Sequence, residues 1–195
     1  MLSDNNIICK PVTPDLWPDL EQFFGKSCAY WGCWCMYWRC SNKEFQQMNS
    51  TDHKQALYET VTTSNHVPGL LAYSGDKPVG WIALGPRDDF TRLVKSRVIK
   101  PPDNQPVWSV VCFFIHKKFR GSGIAYNLLT SAEEYAKSQG ALLLESYPID
   151  TFDRIPDEYA YCGVQQVFSN SGFTKISTTN AQSGGQKRIL MRKTL

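Results

Sequence analysis

Residues 107–129, "VWSVVCFFIHKKFRGSGIAYNLL", join two different hydrophobic patterns and decide the fold. The run "VWSVVCFFI" is apolar at both parities, which is typical of a strand buried on both faces of a sheet. From Ile124 onward the apolar residues follow helical spacing until Gly140, which predicts a helix. The small residues of "RGSG" lie beside the unsatisfied N–H groups of that helix start, where an anion binds favourably. This stretch therefore predicts a central strand, an anion-binding turn and a helix.

The turn differs from two common phosphate-binding loops. It lacks the Gly-Lys-Ser/Thr of a Walker loop, and it lacks the third glycine and later acidic residue of the dinucleotide fingerprint. Arg120, Gly123 and Ala125 instead match Gln/Arg-x-x-Gly-x-Gly/Ala. In this the chain resembles the GNAT superfamily of N-acetyltransferases, whose acetyl-CoA signature this is. The segments "FFIHKKF" and "GVQQVFSNSGF" resemble the family's splayed central strand and its short helix before a Gly-Phe pair.

The remaining elements follow in an order that fits this resemblance. A strand in "IICKPV" precedes helices in "TPDLWPDLEQFFG" and "STDHKQALYETVTTS", and "SGDKP" joins the two strands of a hairpin. The polar, proline-rich residues 86–106 predict a loop or a frayed helix that could act as a lid. Beyond the central helix we expect a strand in "ALLLESYP", a short helix, and closing strands "TKIST" and "RILMRK" around the turn "NAQSGGQ".

Together these features predict one domain over residues 1–195, of the α/β (α+β) class. The resemblance implies the GNAT acyltransferase fold, with a mixed, mostly antiparallel sheet of about six to seven strands, a splayed central strand and about four flanking helices. A chain of 195 residues, 42% of them hydrophobic, is long enough for one sizeable core.

Charge and cysteine content exclude several classes of protein. A net charge of +3 from 21 basic and 18 acidic residues is too small and too mixed to indicate a nucleic-acid or membrane partner. Seven cysteines are an odd number, which does not suit a secreted disulfide framework. No leader pattern and no apolar run near the roughly 20 residues of a membrane helix is found, so we expect a soluble, cytoplasmic protein.

The resemblance also implies which residues bind the co-substrate, acetyl-CoA. The backbone of Phe113, Phe114 and Ile115 would pair with the pantetheine arm as an added strand. The pyrophosphate would be held by Arg120, Gly121, Ser122, Gly123, Ile124, Ala125 and Tyr126. Lys117 and Lys118 are candidates for the other CoA phosphates, or else ordinary exposed lysines of a turn. No metal is implied.

Acetyl transfer to an amine needs a neutral nucleophile, a polarised thioester and an acid for the departing thiolate. Glu145, in "LLLES", resembles the base glutamate of the ribosomal-protein alanine acetyltransferases, and an apolar strand would raise its pKa. The alternative is a structural carboxylate. Where many family members have a tyrosine acid, this chain has Phe168, which donates no proton. Tyr147 and Tyr161 are the predicted substitutes, with Tyr159, Cys162 and water as the other sources of the proton.

The resemblance implies an acceptor pocket formed by residues 26–66 and 147–162, which places "CAYWGCWCMYWRC", residues 28–40, opposite the thioester. The four cysteines of this stretch have spacings that suit zinc poorly, whereas its aromatic residues suit an apolar wall. Arg39 and Arg87 would hold a carboxylate or phosphate of the substrate, unless each pairs with a protein carboxylate such as Asp88 or Glu44. The predicted substrate-binding residues are Trp34, Cys35, Trp38, Arg39 and Arg87.

The sequence thus predicts an N-acetyltransferase that moves an acetyl group from acetyl-CoA to a primary amine, of a small molecule or a peptide, in a direct ternary complex. Two other functional classes remain open. One is a catalytically weak acyl-CoA-binding module with a regulatory role, and the other is a zinc or thiol-redox protein centred on residues 28–40. A homodimer is compatible with the resemblance, because exposed strand edges often pair in this superfamily.

Overall fold

A computed structural model describes residues 7–25 and 32–195 and shows a seven-stranded sheet with strand order β1-β2-β3-β4-β5-β7-β6. Only β4 and β5 are parallel neighbours, and every other neighbouring pair is antiparallel. The predicted mixed, mostly antiparallel sheet is confirmed. The strands are β1 (Ile7–Pro11), β2 (Gly69–Ser74), β3 (Lys77–Pro86), β4 (Trp108–Ile115), β5 (Leu143–Ser146), β6 (Thr174–Ser183) and β7 (Gln186–Thr194).

Six α-helices lie within the described ranges, two more than the sequence predicts. They are α1 (Trp17–Phe24), α2 (Asn42–Gln47), α3 (Ser50–Thr63), α4 (Thr91–Val94), α5 (Ile124–Ser138) and α6 (Gln165–Asn170). The two additional helices, α2 and α4, are short. A capping box starts α2, in which Glu44 N–H donates to Ser41 and the Glu44 carboxylate accepts from the Ser41 N–H. None of the helices in the described part of the chain is long and apolar enough to cross a membrane.

The sheet separates two hydrophobic layers. One face carries α1, α3 and the aromatic residues of the 34–40 segment, which pack on the central residue Trp81. The other face carries α5 and α6, with Leu128, Leu129 and Phe168 packed on the sheet. Both faces of β4 are therefore covered, which explains why "VWSVVCFFI" is apolar at both parities.

The central strands β4 and β5 diverge after a short region of contact. They pair only from Trp108–Leu144 to Val110–Ser146. The register of β4 with β3 shifts by one residue at Val111, which is the mark of a β-bulge. Beyond it β4 stays paired with β3 as far as Ile115 but no longer with β5. The predicted splayed central strand is present. The gap that it leaves between β4 and β5 is where the candidate active site lies.

The last hairpin is longer than predicted. Residues 180–183, which the sequence assigns to a turn, belong to β6, and the turn itself is Gly184-Gly185, with φ of +57° and +77°. Ala181 and Ser183 are buried while Asn180 and Gln182 are exposed, the alternation of a strand. The inward-facing residues here are small or polar, so the sequence shows no alternation of hydrophobic and polar residues that would predict a strand.

The segment after β3 is anchored rather than loose. Phe90, Leu93 and Ile99 are buried, and the guanidinium of Arg87 donates to the backbone carbonyls of Leu93 and Ile99, both at 3.4 Å. These contacts tie the segment to the core and argue against a lid.

Candidate active site

A cavity of about 590 Å³ opens at the gap between β4 and β5. Its walls come from Phe24 at the end of α1, the 33–45 region, residues 112–115 of β4, Arg120, and the turns at 157–161 and 183–184. The cavity is therefore continuous from the predicted pyrophosphate turn to the predicted acceptor side. We call residues 112–115 of β4, Arg120 and the adjacent turn into α5 the cofactor wall; of these, residues 112–115 and Arg120 line the cavity. We call the part formed by residues 33–45 and 157–161 the acceptor wall.

The cofactor wall is built from regular backbone. Phe113, Phe114 and Ile115 all line the cavity, on the stretch of β4 that has left β5. Next to it, Gly123 is the N-cap residue that precedes α5; it has φ of +85°, and no side chain caps the helix. Gly121 has φ of +78°, and a Cβ at either glycine would meet nothing within 4 Å. The helix start thus presents backbone N–H groups and the positive end of its dipole to open space, an arrangement that suits a phosphate.

Arg120 bridges the two sides of the gap. Its Nε donates to the Ile115 carbonyl at 3.0 Å, and its Nη1 forms an ion pair with Asp157. The other residues of the predicted pyrophosphate turn vary in their environment: Ile124 is buried in the core, and the hydroxyl of Ser122 donates to the Phe119 carbonyl at 2.5 Å. The contacts of this turn with acetyl-CoA stay predictions.

The acceptor wall between Gly32 and Cys40 consists of turns. Trp34 and Cys35 have φ of 44° and 55°, left-handed values that cost a residue with a side chain about 1–2 kcal/mol. Side-chain contacts hold the strained backbone: Trp34 stacks on Trp17, with ring centroids 6.1 Å apart, and the Trp81 indole donates to the Cys35 sulfur at 3.0 Å. Residues 28–31 of the predicted wall lie outside the described residues.

The five predicted substrate-binding residues divide into two groups. Cys35 and Trp38 line the cavity, whereas Trp34, Arg39 and Arg87 do not. Arg39 is buried behind the wall, where it donates to the carbonyls of Pro68 and Leu84 and lies 3.5 Å from an Asp89 carboxylate oxygen. Burial lowers the pKa of Arg39. These contacts favour the alternative in which Arg39 pairs with a protein carboxylate, although the partner is Asp89.

Glu145 and Tyr147 belong to a buried polar cluster at the base of the gap. Arg87 Nη1 lies 2.6 Å from one carboxylate oxygen of Glu145, and Arg192 Nε lies 2.7 Å from the other. The Tyr147 hydroxyl also donates to Glu145, and it lies 3.0 Å from the Ser109 hydroxyl. Glu145 is fully buried, and neither it nor Tyr147 lines the cavity. The geometry favours the structural alternative for Glu145.

Tyr161 is the one predicted catalytic residue that lines the cavity. A tyrosine hydroxyl is protonated at neutral pH and carries a proton that it can donate, and burial raises the pKa of Tyr161 further. Phe168, at the position of the usual tyrosine acid, is fully buried and packs edge-on against Phe113, with ring centroids 5.9 Å apart. Tyr161 therefore offers the cavity a proton donor that Phe168 does not.

A comparison with protein-family models shows the family to which this chain belongs. Residues 31–150, more than half of the chain, match the model of the acetyltransferase (GNAT) family. The chain belongs to the GNAT family. It is an acetyltransferase, as the "RGSGIA" turn predicted. No curated protein matches the sequence.

Solved GNAT structures resemble the whole chain in fold, at low identity. A GNAT acetyltransferase from Streptococcus pneumoniae is 15% identical with a TM-score of 0.57, and the match covers 97% of this chain and 99% of that one. The polyamine N-acetyltransferase of Drosophila melanogaster, which forms N-acetylagmatine, is 11% identical with a TM-score of 0.58, covering 97% and 100%. Arabidopsis thaliana NAA60, solved with acetyl-CoA, is 12% identical with a TM-score of 0.53, covering 97% and 100%.

Several residues that line the cavity of this GNAT chain were not named individually from the sequence, although all of them except Cys112 lie within the ranges predicted for the acceptor pocket. Tyr37 and Phe45 extend the aromatic wall, and Cys112 places its sulfur 4.0 Å from that of Cys35. Asp157 and Glu158 lie near Arg120, in a segment with no periodicity to reveal them. Within the described ranges, no group of three or more His, Cys, Asp or Glu could hold a metal ion.

Proposed function

We propose that this GNAT enzyme transfers an acetyl group from acetyl-CoA to the primary amine of a small-molecule or peptide acceptor, by direct attack within a ternary complex. The observation that carries the proposal is the single cavity that runs from Arg120 to the aromatic acceptor wall at Tyr37 and Trp38. A cavity shared by the two proposed substrate walls would bring the amine to the thioester, so the acetyl group needs no intermediate carrier. The relatives support this reading, since one was solved with acetyl-CoA and another forms N-acetylagmatine.

Acetyl-CoA binds along the cofactor wall in this proposal. The backbone of residues 113–115 pairs with the pantetheine arm, because this part of β4 lacks β5 as a neighbour. The pyrophosphate lies on the N–H groups at the start of α5, beside the left-handed Gly121 and Gly123. The guanidinium of Arg120, already at the cavity edge, adds a positive charge near this turn.

The steps of acetyl transfer in this proposal involve residues of the acceptor wall. The amine first loses a proton to solvent at the cavity mouth, where the exposed carboxylate of Glu158 lies. The neutral nitrogen attacks the thioester carbonyl carbon, a C–N bond forms, and the C–S bond breaks. Tyr161 gives its proton to the departing CoA sulfur, since it lines the cavity and a tyrosine hydroxyl, with an ordinary pKa of about 10, is protonated at neutral pH. Water restores the proton to Tyr161.

Glu145 and Tyr147 have a positioning role in this proposal. Their cluster joins Arg87, from the end of β3, to Arg192 of β7, across the place where β4 and β5 begin to separate. Breaking a buried pair is costly, because it leaves charges unpaired in a low dielectric. The cluster thereby fixes the width of the gap in which the acetyl group moves.

The test measures thiol release from acetyl-CoA by the purified full chain, across a panel of primary amines. At least one amine is expected to release thiol above the rate without amine and to gain an acetyl group by mass spectrometry. The variant Gly123→Val is the matched control, since it should lose the cofactor. Binding of acetyl-CoA without amine-dependent release for any amine would contradict the proposal and favour an acyl-CoA-binding regulatory module.

A further inference from the structure

Two neighbouring buried groups behind the acceptor wall have hydrogen-bond donors that no described residue satisfies. These donors are Nε1 of Trp38 and Nη2 of Arg188. Both residues are buried, with 5% and 3% of their surface exposed. The Arg188 guanidinium lies 4.9 Å from the centroid of the Trp38 ring, so the two residues are in direct cation–π contact. Native proteins rarely leave buried donors unpaired, and adjacent ones point to a missing acceptor.

The positive charge of Arg188 also has no counter-ion among the described residues. No described carboxylate lies within 4.0 Å of its guanidinium, whereas Arg39, Arg87, Arg120 and Arg192 each have such a partner. Outside the described ranges, Asp4 is the one residue that carries a side-chain carboxylate. A buried arginine without a counter-ion is unfavourable unless a ligand supplies the negative charge.

The orientation of Arg188 is fixed, and although Arg188 does not itself line the cavity, it packs on residues that do. Its Nε donates to the Tyr147 carbonyl at 2.7 Å, which anchors the guanidinium from the side of the buried cluster. Trp38, on which it stacks, lines the cavity, as does Tyr161, whose electrostatic environment includes the Arg188 charge. The two donors therefore lie directly behind the cavity surface that Trp38 and Tyr161 form, where the acceptor is proposed to bind.

We propose that Arg188 and the Trp38 indole bind a carboxylate of the acceptor, so that the substrate is an amine that also carries a carboxylate. This inference rests on the proposed transfer to an amine. A carboxylate has the single negative charge that the guanidinium lacks, and it accepts hydrogen bonds from both donors. The aromatic rings of Tyr37 and Phe45, on the same wall, suit an apolar body between the amine and the carboxylate.

The first test measures binding and needs no turnover. The full chain is saturated with CoA, and its thermal unfolding is followed with amines that carry a carboxylate at increasing distance: glycine, β-alanine, 4-aminobutyrate, 6-aminohexanoate and tyrosine. Each is paired with an amine of the same skeleton that lacks the carboxylate, and O-phosphoethanolamine tests a phosphate instead. At least one carboxylate is expected to raise Tm above its partner. Equal shifts throughout, or a larger shift with the phosphate, would overturn the proposal.

The second test uses specificity ratios. For the best pair, kcat/KM of the carboxylate-bearing amine is divided by that of its partner in the same variant, so the fraction of folded protein cancels. Arg188→Gln is expected to lower this ratio roughly 10- to 100-fold, and Trp38→Phe, which keeps the ring and removes the donor, by less. Arg97→Gln, at an exposed arginine, is the control and should leave the ratio unchanged.

The two tests separate this inference from the proposed function. An Arg188-dependent Tm shift without any acetyl transfer would leave the carboxylate site standing and remove the enzyme mechanism. Acetyl transfer with a ratio that Arg188→Gln does not alter would keep the enzyme and overturn the carboxylate site. A uniform loss of activity at a constant ratio means that Arg188 has only a structural role, which also overturns it.

Discussion

The cofactor wall and the acceptor wall face the same cavity but are built in different ways. The cofactor wall is a strand followed by a turn into a helix: residues 112–115 and Arg120 line the cavity, and two left-handed glycines follow Arg120. The acceptor wall is made mainly of turns together with the start of α2, and it presents side chains from segments far apart in the chain. The difference matches the proposed ligands. A backbone surface suits a cofactor of constant structure, whereas a side-chain surface can be shaped for one acceptor.

The acceptor wall also carries a conformational cost that the cofactor wall avoids. Left-handed backbone at Gly121 and Gly123 is nearly free for glycine, but Trp34 and Cys35 hold similar angles with side chains attached. Packing against Trp17 and the hydrogen bond from Trp81 offset that cost. The acceptor wall is therefore positioned by the core, and the following predictions test the two walls separately.

The largest expected effect is at the base of the gap, where the two walls meet. Glu145→Gln should lower the free energy of unfolding by about 3–5 kcal/mol, because Arg87 and Arg192 lose a buried carboxylate. Denaturant unfolding measures it, and kcat per folded molecule should fall by less than about 10-fold, because the cluster positions the gap without contacting a reacting atom. Glu133→Gln, which breaks an ion pair with Lys193 nearer the surface, is the control and should cost about 1 kcal/mol or less. Normal stability with lost turnover would make Glu145 the catalytic base.

A substitution at the helix start should affect the cofactor wall alone. Gly123→Val should weaken acetyl-CoA binding at least about 100-fold, measured by calorimetry, because a side chain would occupy the space open to the pyrophosphate. Gly140→Val is the matched control: Gly140 follows the same helix, has φ of +82° and has equally open surroundings. Both variants should lose similar stability. Equal loss of affinity in both would contradict the pyrophosphate site.

On the acceptor wall, Tyr161→Phe should lower kcat roughly 10- to 100-fold and leave acetyl-CoA affinity intact, because it removes only the proposed proton donor. Tyr58→Phe, at an exposed tyrosine of α3 that does not line the cavity, is the control and should retain kcat. Steady-state kinetics at neutral pH measures both. An unchanged kcat for Tyr161→Phe would leave water as the proton source for the thiolate.

The smallest expected effect is on stability at high pH. Burial raises the pKa of Tyr147 and Tyr161 above the ordinary tyrosine value of about 10. Below that value both states keep the protons and stability is unaffected; above it the unfolded chain loses protons that the folded chain keeps, so stability falls. Unfolding from pH 8 to about 11 should show this loss, and Tyr147→Phe should reduce its slope. An identical slope would contradict the burial of Tyr147.

The cofactor wall was predictable from the sequence because its signals are local. The apolar run of β4, the helical spacing of α5 and the small residues between them are contiguous, and the family and fold that they predicted are confirmed. The Cβ of a non-glycine residue would be strained at Gly123, so the residue type itself reports the backbone angle.

The acceptor wall was less predictable because its contacts depend on register and on distant pairing. Arg87 was predicted to bind substrate, but it lies 2.6 Å from Glu145, a partner 58 positions later in the chain. Residues 33–40 follow neither a strand nor a helix period, so no rule indicates which side chains face inward. One signal was available for Arg188: alternation in "RILMR" places Arg188, Leu190 and Arg192 on one face of β7, with charges at inward positions.

The central claim is that the acetyl group crosses the cavity directly from acetyl-CoA to the amine. Cys35 and Cys112 line that cavity and offer thiols that could intercept it. The most direct test incubates the full chain with acetyl-CoA in the absence of any amine, and measures both the released thiol and the intact protein mass. The account predicts no thiol release and an unchanged mass until an acceptor is added. Thiol release accompanied by an acetyl group on Cys35 or Cys112 would contradict it.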